Sequence, residues 1–449
     1  MYSDDTIVAR ATPLGTAGIA VIRMSGPAAL AIASGLFRPA GYASLGDVPV
    51  RFIANGIMEN DGEIVDQCLA VRFRAPHSFT GEDVVEFHLH GTMLIADRVV
   101  GLCVSRGARV ATQGEFTRRA FLNGKIDLTQ VEALADVLAS ESEQALYVAQ
   151  RQLHGELRRR LDEFRERVIH LLALLELELD FVEERYRFAS TEEVTSLLDE
   201  LRAFVDGLLA SYNAGNRLRH GPRILLLGRP NAGKSSLFNA LVGYGRALVS
   251  PVEGTTRDYL EERIAHGGVQ FRLVDTAGLR QTADLIEAEG VERARDLIAT
   301  ADHAFYLIDS SRTESAAEEL LLVERMRGEF PYTSFVVVAT KCDQLRRSVD
   351  GAIPCSVHDR STIIELLDVL VGDYTQNLSE VVALVNERQF HLLETVRRHL
   401  SEMEYRSTSD TELLSADLRT LLAPIAELTG NAVGDDVLNK LFSSFCIGK

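Results

Sequence analysis

The sequence predicts a multidomain protein with an α+β N-terminal domain, an all-α helical domain, and an α/β domain inserted into the helical one. The chain has 449 residues, which is enough for about three domains. Strand-like and helix-like patterns alternate across residues 221–375, and helical spacing of apolar residues flanks that region on both sides. The predicted bounds are 1–120 for the N-terminal domain, 121–218 and 376–449 for the two helical parts, and 219–375 for the inserted domain.

Composition and charge exclude several classes of protein. The net charge of −18 argues against a dedicated nucleic-acid coat. The longest uncharged stretch, Met24 to Phe37, is shorter than the roughly 18 apolar residues of a membrane-spanning helix. The acidic N-terminus has no apolar signal core, and the five cysteines include no CxxC pair, so neither a disulfide framework nor a Cys-rich zinc site is expected. We therefore expect a cytoplasmic protein that does not enter a membrane.

The N-terminal domain shows short strand patterns separated by Gly and Pro, followed by a helix pattern. The predicted strands are Thr6–Ala11, Gly18–Met24, Arg51–Ile57, Gln67–Arg74 and Val84–His90. The predicted helix runs from Thr92 to Ser105. Farther along, apolar residues from Leu153 to Val182 recur every three or four positions, which predicts one long helix. A second helical pattern covers Glu192 to Ala210.

The inserted region alternates four strand patterns with four helix patterns, which is typical of a parallel sheet with crossover helices. The predicted strands are Arg223–Leu227, Val269–Val274, Ala304–Asp309 and Phe335–Thr340. The predicted helices are Lys234–Leu241, Glu287–Ala299, Glu314–Met326 and Thr362–Val371.

The strongest motif is Gly228-Arg-Pro-Asn-Ala-Gly-Lys234-Ser235, which matches GxxxxGK[ST] between a predicted strand and helix. In such a loop the backbone N–H groups surround phosphate oxygens, the lysine reaches the β- and γ-phosphates, and the Ser235 hydroxyl binds Mg²⁺. The candidate nucleotide-binding residues of this segment are Gly228, Asn231, Ala232, Gly233, Lys234, Ser235 and Ser236.

Further motifs follow in the order expected of a GTPase. Gly254-Thr-Thr-Arg-Asp258 offers Thr256, or else Thr255, as a second Mg²⁺ ligand. Asp275-Thr-Ala-Gly278 ends a strand, so Asp275 can hold the metal through water and the Gly278 N–H can meet the γ-phosphate. Each motif alone is weakly specific, but together they predict a GTPase.

The base-recognition motif departs from the usual pattern. Thr340-Lys-Cys-Asp343 follows a strand, and an Asp343 carboxylate can accept two hydrogens from guanine that adenine does not offer. The motif usually begins with Asn, and the later Ser-Ala-Lys loop is matched by Ser356-Val357-His358. Guanine specificity is therefore expected to depend on Lys341 and Asp343, with Ser356 nearby and with modest affinity.

The group that orients the attacking water is not fixed by the motifs. Leu279 follows the Asp275–Gly278 motif and cannot orient water. Glu287, at the start of the next predicted helix, is a candidate carboxylate. The alternative is that Glu287 is a solvated glutamate in a favourable position near a helix N-terminus.

Together these segments resemble the MnmE (TrmE) family of tRNA-modification GTPases. The resemblance extends to Gly18-Ile-Ala-Val-Ile-Arg23, Thr80-Gly-Glu-Asp-Val-Val85, the segment from Gly114 to Lys125, and the C-terminal Cys446-Ile-Gly-Lys449. It implies a folate-binding and dimerising N-terminal domain and a K⁺-stimulated G domain. It also implies a homodimer that joins an MnmG-like, FAD-carrying partner in a heterotetramer. That complex modifies C5 of the wobble uridine of certain tRNAs with a tetrahydrofolate one-carbon donor, in the 5-formyl or 5,10-methylene form.

The same resemblance suggests individual roles. Asn231 would bind K⁺ and Glu287 would orient the water, while Arg23, Glu82, Lys125 and Lys449 would lie near the folate. Cys446 would act near the folate and tRNA chemistry, as a nucleophile or as a residue of the pocket; a small buried thiol is the alternative. Near this site the family often shows His-Gly-Gly, where this chain has His90-Gly91-Thr92.

Three other functions remain open at this point. A regulatory or ribosome-assembly GTPase would need no folate. A folate enzyme with a decayed G domain would bind folate without GTP turnover. A scaffold that recruits the flavoprotein would tolerate Lys234→Ala.

Overall fold

The computed structural model describes the chain in two compact units. The described residues are 5–180, 190–245, 261–274, 295–311, 316–344, 349–375, 386–405, 411–443 and 445–448. The first unit comprises Met1–Ala135, Gln152–Leu197 and Ser401–Lys449, and the second comprises Asp136–Arg151 and Leu198–Leu400. None of the helices within the described ranges is long and apolar enough to span a membrane. The four predicted domain segments stay a prediction.

The described part of the first unit contains a seven-stranded sheet. Its strands are β1 (Thr6–Arg10), β2 (Ile19–Ser25), β3 (Phe37–Pro39), β4 (Ala54–Asn60), β5 (Glu63–Phe73), β6 (Val84–His90) and β7 (Ala108–Val110), in the order β3-β4-β5-β6-β2-β1-β7. Neighbouring strands are antiparallel except β1 and β7. Along β2 the side chains of Ala20, Ile22 and Met24 enter the core, so Arg23 lies on the opposite face.

Helices make up most of the remaining described structure. They are α1 (Ala29–Ser34), α2 (Met93–Ser105), α3 (Glu115–Leu122), α4 (Leu128–Ala139), α5 (Glu143–Leu153), α6 (Glu156–Asp180), α7 (Thr191–His220), α8 (Lys234–Gly245), α9 (Ala316–Glu329), α10 (Arg360–Thr375), α11 (Glu387–Tyr405), α12 (Thr411–Thr429) and α13 (Asp435–Phe442). In the first unit α12 packs against α6, and Arg419 of α12 donates to Glu176 of α6 at 2.6 Å.

Three elements of the first unit begin several residues away from the predicted start, and one of them is β5, which begins at Glu63 instead of Gln67. The strand predicted at Arg51–Ile57 begins later, as β4, because Arg51 has a φ of 64° that an extended strand does not accommodate. The long helix predicted from Leu153 begins at Glu156, as α6, because Leu153 is the last residue of α5. Gly155, at φ 81°, closes a turn with Gln152 before α6 begins.

The second unit contains a six-stranded sheet in its described part. Its strands are β8 (Arg223–Gly228), β9 (Glu261–His266), β10 (Val269–Val274), β11 (His303–Asp309), β12 (Ser334–Thr340) and β13 (Ile353–Cys355), in the order β13-β12-β11-β8-β10-β9. Ile224 and Leu226 of β8 pack in one core cluster and Leu225 in another, so β8 is buried on both faces. A central parallel strand with two covered faces is typical of an α/β layer.

The predicted parallel sheet is mixed. β9 runs antiparallel to β10, whereas the other neighbours are parallel. Gly267 and Gly268, at φ 55° and 78°, join β9 to β10 in a two-residue hairpin that needs positive φ at both positions. The sequence prediction missed β9 and the short edge strand β13.

Candidate functional site

The segment from Gly228 to Ser235, called the phosphate loop below, joins the carboxyl end of β8 to the first turn of α8. Gly228 has a φ of 135°, and a Cβ there would lie 2.5 Å from the carbonyl oxygen of Leu307. Asn231 has a φ of 65°, which Asn tolerates better than most residues. The loop therefore leads into a helix N-terminus, where backbone N–H groups favour anions.

The polar side chains of this loop are open to a ligand. Asn231, Ser235 and Ser236 are exposed, whereas Ala232 is buried beneath them. The Lys234 ammonium donates to the carbonyl oxygens of Gly228, at 2.8 Å, and Arg229, at 2.9 Å. Its positive charge is thus held over the loop, where it would face the phosphates of a bound nucleotide.

A second segment, Thr340 to Asp343, called the base loop below, is tied to the phosphate loop. The Thr340 hydroxyl lies 2.7 Å from the carbonyl oxygen of Ala232. The Lys341 ammonium donates to the carbonyl oxygen of Asn231 at 3.1 Å and to the Asp309 carboxylate at 2.6 Å. Burial opposes ionisation of Asp309, but the hydrogen bonds from Lys341 and Ser311 outweigh it and lower the pKa of that carboxyl.

A cavity of about 170 Å³ lies between the base loop, the start of α8 and the segment after β13. It is lined by Gly233, Ser236, Leu237, Thr340, Lys341, Asp343, Gln344, Cys355, Val357 and His358. The Ser356 hydroxyl donates to Asp343 at 2.8 Å, and this bond is the main cause of the lowered pKa of Asp343. The cavity thus contains an ionised carboxylate whose orientation is fixed, able to accept two N–H groups from a base.

Several residues predicted for the site lie outside the described residues and stay predictions. They are Thr255, Thr256, Asp275, Gly278, Glu287 and Lys449. The structure does bring together the predicted residues of the phosphate loop, Lys341, Asp343 and Ser356, all of them within the second unit.

In the first unit, Glu82 belongs to a network of charged side chains. It accepts hydrogen bonds from the Ser25 hydroxyl at 2.6 Å and from the Arg119 guanidinium at 3.2 Å. Arg119 is 4% exposed and also donates to Asp5 at 2.7 Å and Glu115 at 3.1 Å. Burial opposes the charge of Arg119, but the surrounding carboxylates outweigh it and raise its pKa.

Arg23 lies close to this network, on the same face of β2 as Ser25. Its Nε donates to Glu86 at 2.7 Å, and its guanidinium lies 5.8 Å from the ring centroids of both Phe79 and Phe116. Lys125, also predicted for this region, donates to the carbonyl oxygen of Pro76 at 2.9 Å. The neighbourhood therefore combines one exposed aromatic ring, that of Phe79, with fixed charges.

The C-terminal segment reaches the same domain. Ile447 forms an antiparallel bridge with Gln113, and a Cβ on Gly448 would lie 2.2 Å from the carbonyl oxygen of Arg10. Arg10 is the residue of β1 next to Ala9, and Ala9 pairs with Arg23. Within the first unit the chain fold thus brings the tail with its exposed Cys446 thiol to the sheet that carries Arg23.

Sequence reasoning missed the roles of Glu115 and Arg119. Both belong to the segment from Gly114 to Lys125, and their spacing of four residues within α3 indicates an ion pair. The further partners Asp5 and Glu82 lie far away in the sequence and could be identified only from the fold. The bond from Thr340 to the phosphate loop was likewise not predicted.

Two family models match this chain. The model described as the MnmE helical domain matches residues 128–446, and the model described as the GTP-binding protein TrmE N-terminus matches residues 6–125. The two matches together span nearly the whole sequence, including the segments that carry both clusters described above.

Relatives that bear the name tRNA modification GTPase MnmE align with the chain over its full length. The relative from Cytophaga hutchinsonii is 38% identical over 456 residues, covering 99% of this chain and 98% of that protein. The relative from Salinibacter ruber is 40% identical over 467 residues, covering 100% of both chains. The relative from Aquifex aeolicus is 37% identical over 456 residues, covering 99% of this chain and 100% of that protein.

Proposed function

This chain belongs to the MnmE family of tRNA modification GTPases, and we propose on that basis that it is a K⁺-stimulated GTPase of the cytoplasm acting on the wobble uridine of certain tRNAs. It would work as a homodimer with an MnmG-like flavoprotein that supplies FAD. The proposal depends on one combined observation: the chain aligns over its full length with members of the family, and Asn231 of its phosphate loop is exposed.

The residues of the phosphate loop fit the two cations that this reaction needs. An amide oxygen is a hard, neutral ligand suited to K⁺, and Asn231 is held in place by the bond from Lys341 to its own carbonyl. The exposed Ser235 hydroxyl, with Thr256 or Thr255, suits Mg²⁺. Bound there, the two cations would offset the negative charge that develops on the phosphates.

The chain's own groups would do the remaining work of hydrolysis. Backbone N–H groups of the phosphate loop and Lys234 would hold the β- and γ-phosphates, with Gly278 donating to the γ-phosphate. Asp275 would hold the Mg²⁺ through water. Glu287 would orient the attacking water through a second water, because a carboxylate beside the γ-phosphate would be repelled.

The first unit supports a folate site at Arg23, Glu82, Lys125 and the C-terminal Lys449. A carboxylate can pair with the donors of a pterin ring, and Glu82 keeps lone pairs beyond those used by Ser25 and Arg119. The ring of Phe79 beside Arg23 is exposed and offers a flat apolar surface, whereas that of Phe116 is buried. Bound folate would supply the one-carbon unit in its 5-formyl or 5,10-methylene form, and Cys446 would act beside it.

The first experiment is GTP turnover in KCl against NaCl, with Asn231→Ala and Asn231→Gly in parallel. Asn231→Ala removes the amide but also strains a residue at positive φ, whereas Asn231→Gly removes the amide without that strain. Both variants should lose the stimulation by K⁺. Stimulation that persists in Asn231→Gly would refute the cation role of Asn231.

A second experiment separates this function from that of a regulatory GTPase. Wobble-uridine modification is measured by nucleoside mass spectrometry with tRNA, the flavoprotein and a tetrahydrofolate donor. Glu287→Ala should abolish turnover and modification together, and Cys446→Ser should abolish modification alone. GTP turnover without any folate binding would favour the regulatory GTPase.

A further inference from the structure

Thr340 lies in the wall of the base cavity. The asparagine that usually begins this motif would offer two amide hydrogens there, whereas the Thr340 hydroxyl offers one. Its Oγ1 lies 2.7 Å from the carbonyl oxygen of Ala232 and 3.2 Å from that of Ile308. Both neighbours are acceptors, so the hydroxyl must donate, and the shorter contact identifies Ala232 as its acceptor. Thr340 is 6% exposed, and its single proton is already committed to the protein.

The position of Thr340 matters because of how guanine would lie in this cavity. If Asp343 accepts N1–H and N2–H, the acceptor N7 lies at the other side of the purine and needs a donor. Asp343 is held by Ser356 at one end of the cavity. Thr340 stands at the phosphate-loop end, where a Cβ on Gly233 would lie 3.7 Å from its Oγ1.

We propose that this chain recognises guanine through hydrogen bonds from N1–H and N2–H and makes no hydrogen bond to N7. Thr340 is then a positioning residue, which holds the base loop against the phosphate loop. This inference rests on the proposed role of Asp343 in guanine binding. Lys341 is already engaged, since two of its three ammonium hydrogens go to the Asn231 carbonyl oxygen and the Asp309 carboxylate.

The test compares GDP with 7-deaza-GDP, in which a C–H group replaces N7. Dissociation constants are measured by isothermal titration calorimetry on the full chain with Mg²⁺. The two nucleotides should bind within about twofold of each other, because no hydrogen bond is lost. A penalty of about fivefold or more for 7-deaza-GDP is the size expected for one hydrogen bond and would overturn the inference. Gln344 or His358, which also line the cavity, would then be the donor.

Variants at Thr340 distinguish a residue that positions the base loop from one that donates a hydrogen bond to N7. Thr340→Asn provides one N–H for Ala232 and one for N7, so it should favour GDP over 7-deaza-GDP by about fivefold. Thr340→Val keeps the shape but leaves the Ala232 carbonyl without its donor, so it should weaken both nucleotides by the same factor. Thr340→Ser should restore the affinity for both nucleotides to the wild-type value. A selective loss of GDP affinity in Thr340→Val would show that the hydroxyl reads N7.

Asp343→Asn distinguishes failure of this inference from failure of the base site itself. The variant should lose GDP and gain xanthosine diphosphate, because an amide can donate where xanthine presents a carbonyl. Unchanged GDP binding in Asp343→Asn, or no GDP binding by the wild-type chain, would refute the base site and this inference together. Normal behaviour of Asp343→Asn with a clear penalty for 7-deaza-GDP would overturn the N7 inference alone.

Discussion

Glu115, the first residue of α3, is expected to contribute strongly to the stability of the first unit. Its carboxylate accepts hydrogen bonds from Arg109 at 2.7 and 3.0 Å, from the backbone of Thr112 at 2.8 Å and from Arg119 at 3.1 Å. Burial by itself raises the pKa of Glu115, but these hydrogen bonds outweigh it and lower the pKa from 4.5 to about 2. The negative charge also lies in the first turn of a helix, where the dipole favours it.

The size of the effect follows from that pKa. At about 1.36 kcal/mol for each pH unit, lowering the pKa from 4.5 to about 2 corresponds to roughly 3 kcal/mol of stability. Because the pKa is lower in the folded state, this stability is present above pH 4.5 and is lost as the pH falls toward 2. Glu115→Gln should therefore destabilise the first unit by about 2–3 kcal/mol at pH 7, and the difference from wild type should shrink in acid.

Native thiols allow the two units to be followed separately in urea. Cys68 and Cys103 are buried in the first unit, and Cys355 is buried in the second. Brief labelling with a dipyridyl disulfide, which remains reactive toward thiols in acid, reports the unfolding of each unit by mass spectrometry. The exposed Cys446 serves as the reference for complete labelling.

The outcome depends on which thiols respond. The Glu115→Gln midpoint for Cys68 and Cys103 should fall, while the midpoint for Cys355 should stay at the wild-type value. A change below about 0.5 kcal/mol at pH 7 would refute the reasoning, since it is the size expected of an ordinary surface substitution. A stability difference between Glu115→Gln and wild type that stays constant from pH 7 to pH 3 would also refute it.

Three further outcomes are expected. Gly228→Ala should lower GTP affinity at least about tenfold in a titration, because residue 228 has a positive φ and its Cβ would lie 2.5 Å from a backbone oxygen of β11. Gly243→Ala is the control: its Cβ would lie in open space on α8, so this variant should bind GTP normally. Asp343→Asn should reverse the preference for guanine over xanthine in competition binding. Gly448→Ala should displace the C-terminal tail, whose glycine has a φ of 102°, and so reduce tRNA modification in the reconstituted assay while GTP turnover is unchanged.

Local patterns predicted most of the strands and the phosphate loop, because their determinants lie close together in sequence. β6 and β10 were predicted with the bounds that the structure has, and β8 within one residue. β9 was missed because four of its six residues are polar and its defining feature is the Gly267-Gly268 hairpin. The start of α6 was predicted too early because the apolar stripe extends back to Leu153, whereas Gly155, at positive φ, ends the turn that precedes the helix.

The candidate sites were predictable only in part, for the same physical reason. A motif shows which side chain meets a ligand, but not which distant groups hold that side chain. Arg119 bonds to Asp5 across 114 positions and to Glu82 across 37. No local pattern predicts such partners, because only the fold brings the segments before β1 and β6 next to α3.

The two carboxylates proposed to read a heterocycle are held in the same way. Glu82 accepts from the Ser25 hydroxyl at 2.6 Å, and Asp343 accepts from the Ser356 hydroxyl at 2.8 Å. Each serine fixes one oxygen of its carboxylate while lone pairs remain for the two N–H groups of a pterin or of guanine. A side chain fixed before binding loses less conformational entropy when the ligand arrives. A preorganised carboxylate is therefore available in both units, although the two motifs share little beyond the acidic residue itself.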